Sequence, residues 1–183
     1  RAGRRCRPRG VPAIAPRQGT SREVAARELF PGARGSTERI DAAGKPVFWQ
    51  HRIVSPSIMA TLGPGLFGFA PPPDRLDDTS VEGANNLPYD MQNLYVDWVD
   101  NKPGVPVGFW RSVGSSHTAF STECFLDELA QAAGKDPLAF RLSLLEKHPR
   151  HAGVLKLAAE KAGWSKPLPK GVHRGIAVHE SFG

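Results

Sequence analysis

Residues 105–120, VPVGFWRSVGSSHTAF, set an arginine beside a tryptophan in a stretch rich in glycine and serine, directly before a predicted helix. The first amides of an α-helix have no partner inside the helix and carry partial positive charge. A phosphate, a carboxylate or an oxo group is therefore favoured at that position. Arg111 adds a permanent cation with a planar set of hydrogen-bond donors, and Trp110 adds a rigid, planar aromatic ring. The pattern predicts a ligand-binding loop at 108–117.

The residue types of this loop leave a second interpretation open. The loop contains neither the GxxxxGK[ST] pattern of phosphate-binding loops nor the dinucleotide-binding pattern GxGxxG. Trp110 could instead anchor a core, and Arg111 could be a solvated or ion-paired side chain.

Other candidates for catalysis or metal binding are weaker. His148 and His151 are three residues apart, but Pro149 between them disfavours a helical pair of metal ligands. The HES sequence at 179–181 lacks the GxSxG pattern of a nucleophile elbow. We therefore predict no catalytic residue and no metal ligand within the chain.

The acidic pair on the main predicted helix and the two cysteines also indicate structural roles. Asp127 and Glu128 are adjacent and so point apart, which is typical of a solvated face rather than of a paired acid and base. Cys6 and Cys124 are too few for a disulfide framework, a four-cysteine zinc site or an iron–sulfur cluster. Cys124 lies in an apolar helical pattern and is predicted to be a core thiol.

The positive charge of the chain is concentrated at its N-terminus. The 183 residues carry a net charge of +6, and residues 1–40 hold ten arginines and three acidic residues. Residues 41–183 hold 14 basic and 15 acidic residues. Binding of single-stranded nucleic acid needs aromatic side chains among the basic ones, and residues 1–22 contain none. We predict a poorly structured, arginine-rich tail over 1–37 and no nucleic-acid partner.

Hydrophobicity predicts no transmembrane helix in this chain, and the ends of the chain suggest a fragment. No stretch approaches 18 consecutive apolar residues, so no membrane span is predicted. The chain begins without methionine or a signal peptide and stops within a predicted strand. We expect a fragment of a longer protein, in a compartment that is either cytoplasmic or periplasm-facing.

The periodicity of the apolar residues predicts an α+β fold. The N-terminal half contains a helix at 21–30, a strand–turn–strand unit at 38–54, a long proline-rich loop at 62–78 and a strand at 93–100. The C-terminal half contains three consecutive helices and then a strand, at 115–134, 135–148, 150–164 and 175–183. Ser115 or Ser116 is expected to cap the first of these helices, and Asp136 followed by Pro137 begins the second.

Four stretches of the sequence resemble a known protein family. They are DAAGKPVFWQHRIVSPSIMA, SVEGANNLPYD, PGVPVGFWRSVGSSHTAFSTECFLDELAQAAGKDPLAFRLSLL and RGIAVHESFG. The chain is similar over 38–183 to the molybdopterin-binding large (beta) subunit of isoquinoline 1-oxidoreductase and bacterial aldehyde dehydrogenases. These proteins belong to the xanthine dehydrogenase–aldehyde oxidase superfamily.

The resemblance implies an architecture and a cofactor. It implies part of a first molybdopterin-binding domain at 38–163, a linker at 164–174 and the start of a second such domain at 175–183. It also implies molybdenum–molybdopterin, in its cytosine dinucleotide form, as the cofactor. The implied cofactor-binding residues are those that match the aromatic–Arg–small–x–Gly loop of the family: Phe109, Trp110, Arg111, Ser112, Val113 and Gly114.

The resemblance further implies a reaction and its partners. Relatives hydroxylate an N-heterocycle or oxidise an aldehyde with oxygen from water, and a separate small iron–sulfur subunit carries the electrons away. The resemblance places the glutamate general base of these relatives beyond residue 183, so we expect the fragment alone to be inactive. Val113 stands where many relatives have an aromatic residue, which argues against a flat purine substrate. The alternative from another class is a non-catalytic α+β interaction domain without a cofactor.

Overall fold

The computed structural model describes residues 22–25, 33–72, 75–102, 104, 105 and 107–182. The strands are β1 (Arg22–Ala25), β2 (Ala33–Ile40), β3 (Pro46–Ser55) and β4 (Leu94–Asp100). The helices are α1 (Ile58–Phe67), α2 (Ser115–Ala132), α3 (Pro137–Ser143) and α4 (Pro149–Lys161), with a short 3-10 helix at Asp78–Ser80. The α+β class and the three consecutive C-terminal helices are confirmed.

A hairpin of β2 and β3 forms the centre of the sheet, as the sequence predicts. The Asp41 carboxylate accepts hydrogen bonds from the amides of Ala43 and Lys45, at 2.9 and 2.8 Å. Gly44 follows with a φ of 69°, a conformation that glycine adopts without strain. These local contacts close the turn and set the register of the two strands.

The sheet has the order β1-β2-β3-β4. The pairs β1–β2 and β2–β3 are antiparallel, whereas β3 and β4 are parallel. A parallel pair needs a long crossover connection, and here the connection contains α1 and the 3-10 helix. Along β3 the buried side chains alternate, as predicted, at Trp49, His51 and Ile53.

The N-terminal region differs from the prediction. The helix expected at 21–30 is wrong at Arg22–Ala25, which forms β1. This strand pairs with Thr37–Ile40 of β2, and such pairing overrides a helical pattern in a short segment. The expected tail over 1–37 is therefore strand at 22–25 and 33–37. Its remaining residues, including Cys6, lie outside the described residues.

Helix α1 replaces the first part of the loop predicted at 62–78. Ser57 caps the helix, because its hydroxyl accepts a hydrogen bond from the Ala60 amide at 2.9 Å. The Asp77 carboxylate accepts from the Ser57 hydroxyl at 2.6 Å and from the Met59 amide at 3.2 Å. The Ser57 cap is a local signal, but Pro64 inside the helix is typical of a loop, and the supporting Asp77 is distant in sequence.

Helix α3 begins as the sequence predicts, whereas the cap predicted for α2 is wrong. In α3, the Asp136 carboxylate accepts from the Ala139 amide at 2.9 Å and Pro137 is the first helical residue. In α2, the N-cap residue is Gly114, which has no side chain to cap the helix, and not Ser115 or Ser116. None of the helices in the described part of the chain is long and apolar enough to cross a membrane.

The three C-terminal helices and two residues of the central hairpin share the main core. Trp49 of β3 meets Phe125 of α2 edge to face, with ring centroids 5.1 Å apart. The core also includes Ile176 and Val178. The strand predicted over 175–183 is not formed at 175–182, although these two alternating side chains are buried as expected. The predicted domain boundary at 164–174 stays a prediction.

A buried ionic network joins α2, α3 and the C-terminal segment. Arg141, which is fully buried, donates to the carboxylates of Glu123 at 3.0 Å and Asp127 at 2.6 Å. Glu123 also accepts from the Tyr89 hydroxyl at 2.8 Å and from the Val178 amide at 3.2 Å. Asp127 is thus ion-paired, while its side chain stays 41% exposed on the face predicted to be solvated. Burial raises the pKa of Glu123, and the Arg141 charge lowers it again in part.

We predict that Arg141→Met lowers the free energy of unfolding by about 3–5 kcal/mol at pH 7, because it leaves the Glu123 carboxylate buried without its cation. Acidic pH should reduce this loss by protonating Glu123. Urea titrations followed by circular dichroism measure the effect. The control is Arg150→Met, at an exposed position of α4, which should change stability by less than about 0.5 kcal/mol. Equal losses in both variants would contradict the network.

Candidate functional site

The predicted binding loop protrudes from the described part of the molecule. Trp110 is 77% exposed and Phe109 is 42% exposed. Arg111 is also exposed and forms no ion pair with a described residue. Within these residues, Trp110 is therefore not a core anchor and Arg111 is not part of a salt bridge.

The loop is held in a strained conformation. Ser112 has a φ of 65° and Val113 a φ of 45°, values that are unfavourable for residues with a side chain and most of all for a β-branched one. Such strain costs about 1–3 kcal/mol per residue and persists where surrounding contacts impose it. Here the Val113 amide donates to the Trp110 carbonyl at 3.0 Å, and the Ser116 hydroxyl donates to the Arg111 carbonyl.

Gly114 fixes the base of the loop against the segment that contains the 3-10 helix. A Cβ atom at Gly114 would lie 2.7 Å from the Thr79 carbonyl oxygen and 3.0 Å from that of Glu82. The Gly114 amide donates to the Glu82 carboxylate at 3.3 Å. The sequence predicts accessible amides at the start of α2. That expectation is wrong at Gly114, because a carboxylate of the chain itself occupies the position.

The C-terminal segment reaches the same place. Gly83 has a φ of 80°, and a Cβ atom there would collide with the Thr118 hydroxyl. It would also lie 3.1 Å from both His179 Cε1 and Ser115 Oγ. Three chain segments therefore meet at the start of α2, and they bring His179 beside the base of the loop.

Several buried polar atoms on these three segments lack a hydrogen-bond partner among the described residues. They are Ser80 Oγ, Ser115 Oγ, His179 Nε2 and Ser181 Oγ. Buried polar groups are nearly always hydrogen-bonded in folded proteins. These atoms are available to a ligand, to water or to a further polypeptide segment.

The histidines behind the loop are held neutral by their surroundings. Burial and, to a smaller extent, the nearby His117 lower the pKa of His51 to about 4, although Asp97 opposes the shift. Burial also lowers the pKa of His117 and of His179, where the Glu82 charge acts in the opposite direction. At neutral pH these imidazoles therefore add no positive charge, and Arg111 is the cation of the loop.

The remaining sequence candidates form no site of their own. His148 and His151 do approach each other despite the intervening proline, with ring centroids 5.9 Å apart. His151 Nε2 lies 2.9 Å from the Glu180 carboxylate. Across the described ranges, no group of three or more histidine, cysteine or acidic side chains is arranged to bind a metal ion.

Sequence reasoning missed the roles of Glu82 and His179. Both lie in stretches that carry the family resemblance, SVEGANNLPYD and RGIAVHESFG. The signal was the pair of glycines, because Gly83 and Gly114 mark the two backbones that approach each other. A single sequence does not indicate which glycines meet.

Three curated proteins are similar to parts of the chain, and no family model matches it. A nicotinate dehydrogenase subunit from Pseudomonas putida is 39% identical over 77 residues, which are 42% of this chain and 6% of that protein. The beta subunit of isoquinoline 1-oxidoreductase from Brevundimonas diminuta is 27% identical over 64% of this chain and 14% of its own length. A membrane-bound aldehyde dehydrogenase from Gluconacetobacter polyoxogenes, whose name includes pyrroloquinoline-quinone, is 38% identical over 39% of this chain and 11% of its own length.

These relatives are named as dehydrogenases and oxidoreductases, so the chain is similar to subunits of redox enzymes. More particularly, the predicted resemblance to isoquinoline 1-oxidoreductase and bacterial aldehyde dehydrogenase is confirmed. The chain spans 6 to 14% of the lengths of these three proteins.

Solved structures of oxidoreductases resemble the fold only loosely. The match with an aldehyde oxidoreductase from Desulfovibrio desulfuricans covers 71% of this chain and 15% of the oxidoreductase chain, at 18% identity and a TM-score of 0.48. The match with quinoline 2-oxidoreductase from Pseudomonas putida covers 71% of this chain and 18% of the quinoline 2-oxidoreductase chain, at 13% identity and a TM-score of 0.44. These scores are low, so the assignment rests on sequence similarity.

We predict that Gly114→Ala lowers the free energy of unfolding by about 1–3 kcal/mol, because the added methyl group has no room beside the Thr79 and Glu82 carbonyls. Gly65→Ala is the matched control, since no atom lies within 4 Å of a Cβ there. It replaces a helical glycine and should stabilise the chain by up to about 1 kcal/mol. Thermal and urea denaturation compare the two variants. A neutral Gly114→Ala would show that the backbones are farther apart.

The lowered pKa of His51 predicts a pH dependence of stability. Between pH 6.5 and about 4 the unfolded chain binds a proton at His51 that the folded chain does not. Stability should therefore fall as the pH falls through this range, by on the order of 3 kcal/mol for this group. His51→Gln should flatten the profile, whereas His173→Gln, at an exposed position, should leave it unchanged. Urea titrations at several pH values test this, and identical profiles in wild type and His51→Gln would contradict it.

Proposed function

We propose that this chain is part of the large subunit of a molybdopterin-dependent oxidoreductase and that its loop Phe109–Gly114 contacts the cofactor. The observation that carries the proposal is the exposed Trp110–Arg111 pair on a strained, anchored loop. Backbone strain of this kind is typical of ligand-binding sites. The confirmed similarity to redox subunits supplies the class of ligand.

The residues present fit an anionic, partly flat group. The Arg111 guanidinium suits a phosphate or oxo group through charge-assisted, bidentate hydrogen bonds. The Trp110 ring offers an exposed apolar face of the kind that covers a fused heterocycle. Since Glu82 occupies the Gly114 amide, we assign the contact to the side chains of the loop rather than to the amides of α2.

In this role the chain positions the cofactor and shields it. The cofactor, when bound, supplies the two-electron oxidation of an aldehyde or the hydroxylation of an N-heterocycle, with oxygen from water. Arg111 balances its negative charge, and Trp110 excludes water from one side. The neutral His51 and His179 leave that balance to Arg111. We place the general base of the reaction outside these 183 residues.

The cofactor form, the partner and the domain division are part of the proposal. We assign the cytosine dinucleotide form of molybdopterin, and we assign a small iron–sulfur subunit as the electron acceptor. Two of the relatives are named as single subunits of their enzymes, which supports an enzyme of several subunits. The chain would span part of a first cofactor-binding domain at 38–163, a linker at 164–174 and the start of a second domain at 175–183.

A second candidate is a non-catalytic interaction domain. The exposure of Trp110 and Phe109 favours it, because exposed aromatic side chains are also typical of protein interfaces. The two candidates differ in whether the complete protein holds molybdenum and pterin. The name of one relative includes pyrroloquinoline-quinone, so the same preparation is to be assayed for this quinone.

We predict that Arg111→Ala lowers the molybdenum and pterin content of the complete subunit at least about tenfold, since a charge-assisted contact to a bound anion contributes about 1.5–3 kcal/mol. The subunit is produced in a host that makes the cofactor, and content is measured by mass spectrometry of the metal and fluorescence of the oxidised pterin. Arg111→Lys should retain part of it.

Arg150→Ala, an exposed arginine of α4, is the control and should leave the content unchanged. Circular dichroism verifies that each variant is folded. Normal loading of Arg111→Ala would contradict the assignment of the loop. A wild-type subunit without molybdenum but with a protein partner would support the interaction domain. A wild-type subunit that holds the quinone would show that the cofactor is the quinone and not molybdopterin.

A further inference from the structure

The carboxylate at the start of α2 has no role in the function proposed above. We propose that Glu82 is the positioning residue of the ligand loop: it holds Gly114 and so keeps Trp110 and Arg111 in their exposed arrangement. That this role serves ligand binding rests on the proposed function. That Glu82 holds Gly114 rests on contacts within the chain alone.

Glu82 touches the first turn of α2 at two places. Its carboxylate accepts from the Gly114 amide at 3.3 Å. Its backbone carbonyl accepts from the Thr118 hydroxyl at 2.7 Å, and Thr118 is fully buried. A single residue therefore binds the N-cap of the helix by its side chain and the next turn by its backbone.

This attachment lies directly beside the strained residues. Ser112 and Val113 have positive φ angles and immediately precede Gly114. A chain that is free to rotate would return such residues to negative φ. Because Gly114 is buried and its amide is bound, the strain cannot relax through rotation at that position. Trp110 and Arg111 are therefore displayed outward rather than folded onto the surface.

The charge of Glu82 also suits its position. A carboxylate is stabilised at the N-terminus of a helix by the helix dipole, and here the helix is 18 residues long. None of the ion pairs within the described ranges includes Glu82. The carboxylate thus takes the place of an external anion at the helix end and leaves Arg111 to bind the ligand.

The test is amide hydrogen exchange of Gly114 and Val113, measured by NMR in this chain. In Glu82→Ala the Gly114 amide loses its acceptor, and its exchange should accelerate at least about tenfold relative to the core amide of Leu129. Glu82→Gln keeps an acceptor oxygen at the same distance and should remain within about threefold of wild type. Glu146→Gln, at an exposed position, controls for the loss of charge.

Glu82→Asp provides a second variant if the alanine protein does not fold. Its shorter side chain keeps the charge but draws the carboxylate away from Gly114, so exchange there should again accelerate. Unchanged protection of Gly114 in Glu82→Ala, or in Glu82→Asp where that is the variant that folds, would overturn the proposal. So would equal acceleration in Glu82→Gln and Glu82→Ala.

These measurements need no cofactor, so their outcome is independent of the proposed function. In the complete subunit, Glu82→Ala should lower molybdenum content while Glu82→Gln preserves it. If exchange accelerates but loading does not change, the positioning role stands and the assignment of the loop to the cofactor fails.

Discussion

Gly114 brings the start of α2 against the carbonyls of Thr79 and Glu82, at distances that leave no room for a side chain. This contact determines the direction in which the preceding loop leaves the helix. It therefore accounts for both the strain in the loop and the exposure of Trp110 and Arg111. A binding loop that is rigid before its ligand arrives loses less conformational entropy on binding. The cost of the strained backbone is offset by the contacts of the surrounding structure.

The support for this contact comes from the core behind it. Helix α2 is held on the sheet by Phe125 against Trp49, and its buried Glu123 accepts hydrogen bonds from Tyr89, Arg141 and the Val178 amide. The Glu123 network attaches the C-terminal segment to the same helix whose N-terminus carries the loop. Helix α2 alone connects the network to the loop, and a helix is a stiff element. Substitutions in the network are thus expected to act on stability first and on the loop second.

How much of this follows from the sequence depends on the range of the contacts. The β2–β3 hairpin and the start of α3 were predictable, because Asp41 and Asp136 act on residues two to four positions away. The start of α1 combines the local Ser57 cap with Asp77, which is 18 to 20 residues away from its partners, and the base of the loop depends on Glu82, 32 residues from Gly114. Local patterns contain no information about such pairs. The loop before α2 was predictable from its residue types, whereas the exposure of Trp110 and the occupation of the Gly114 amide by a carboxylate were not.

The similarity to redox subunits and the exposed loop lead to one central claim, that Trp110 and Arg111 contact a molybdenum–pterin group. A structure of the complete, metal-loaded subunit tests it most directly. The claim predicts that the Arg111 guanidinium lies within hydrogen-bond distance of the cofactor and that the Trp110 ring covers part of it. A structure in which both side chains are buried under other protein residues, away from the pterin, would contradict it.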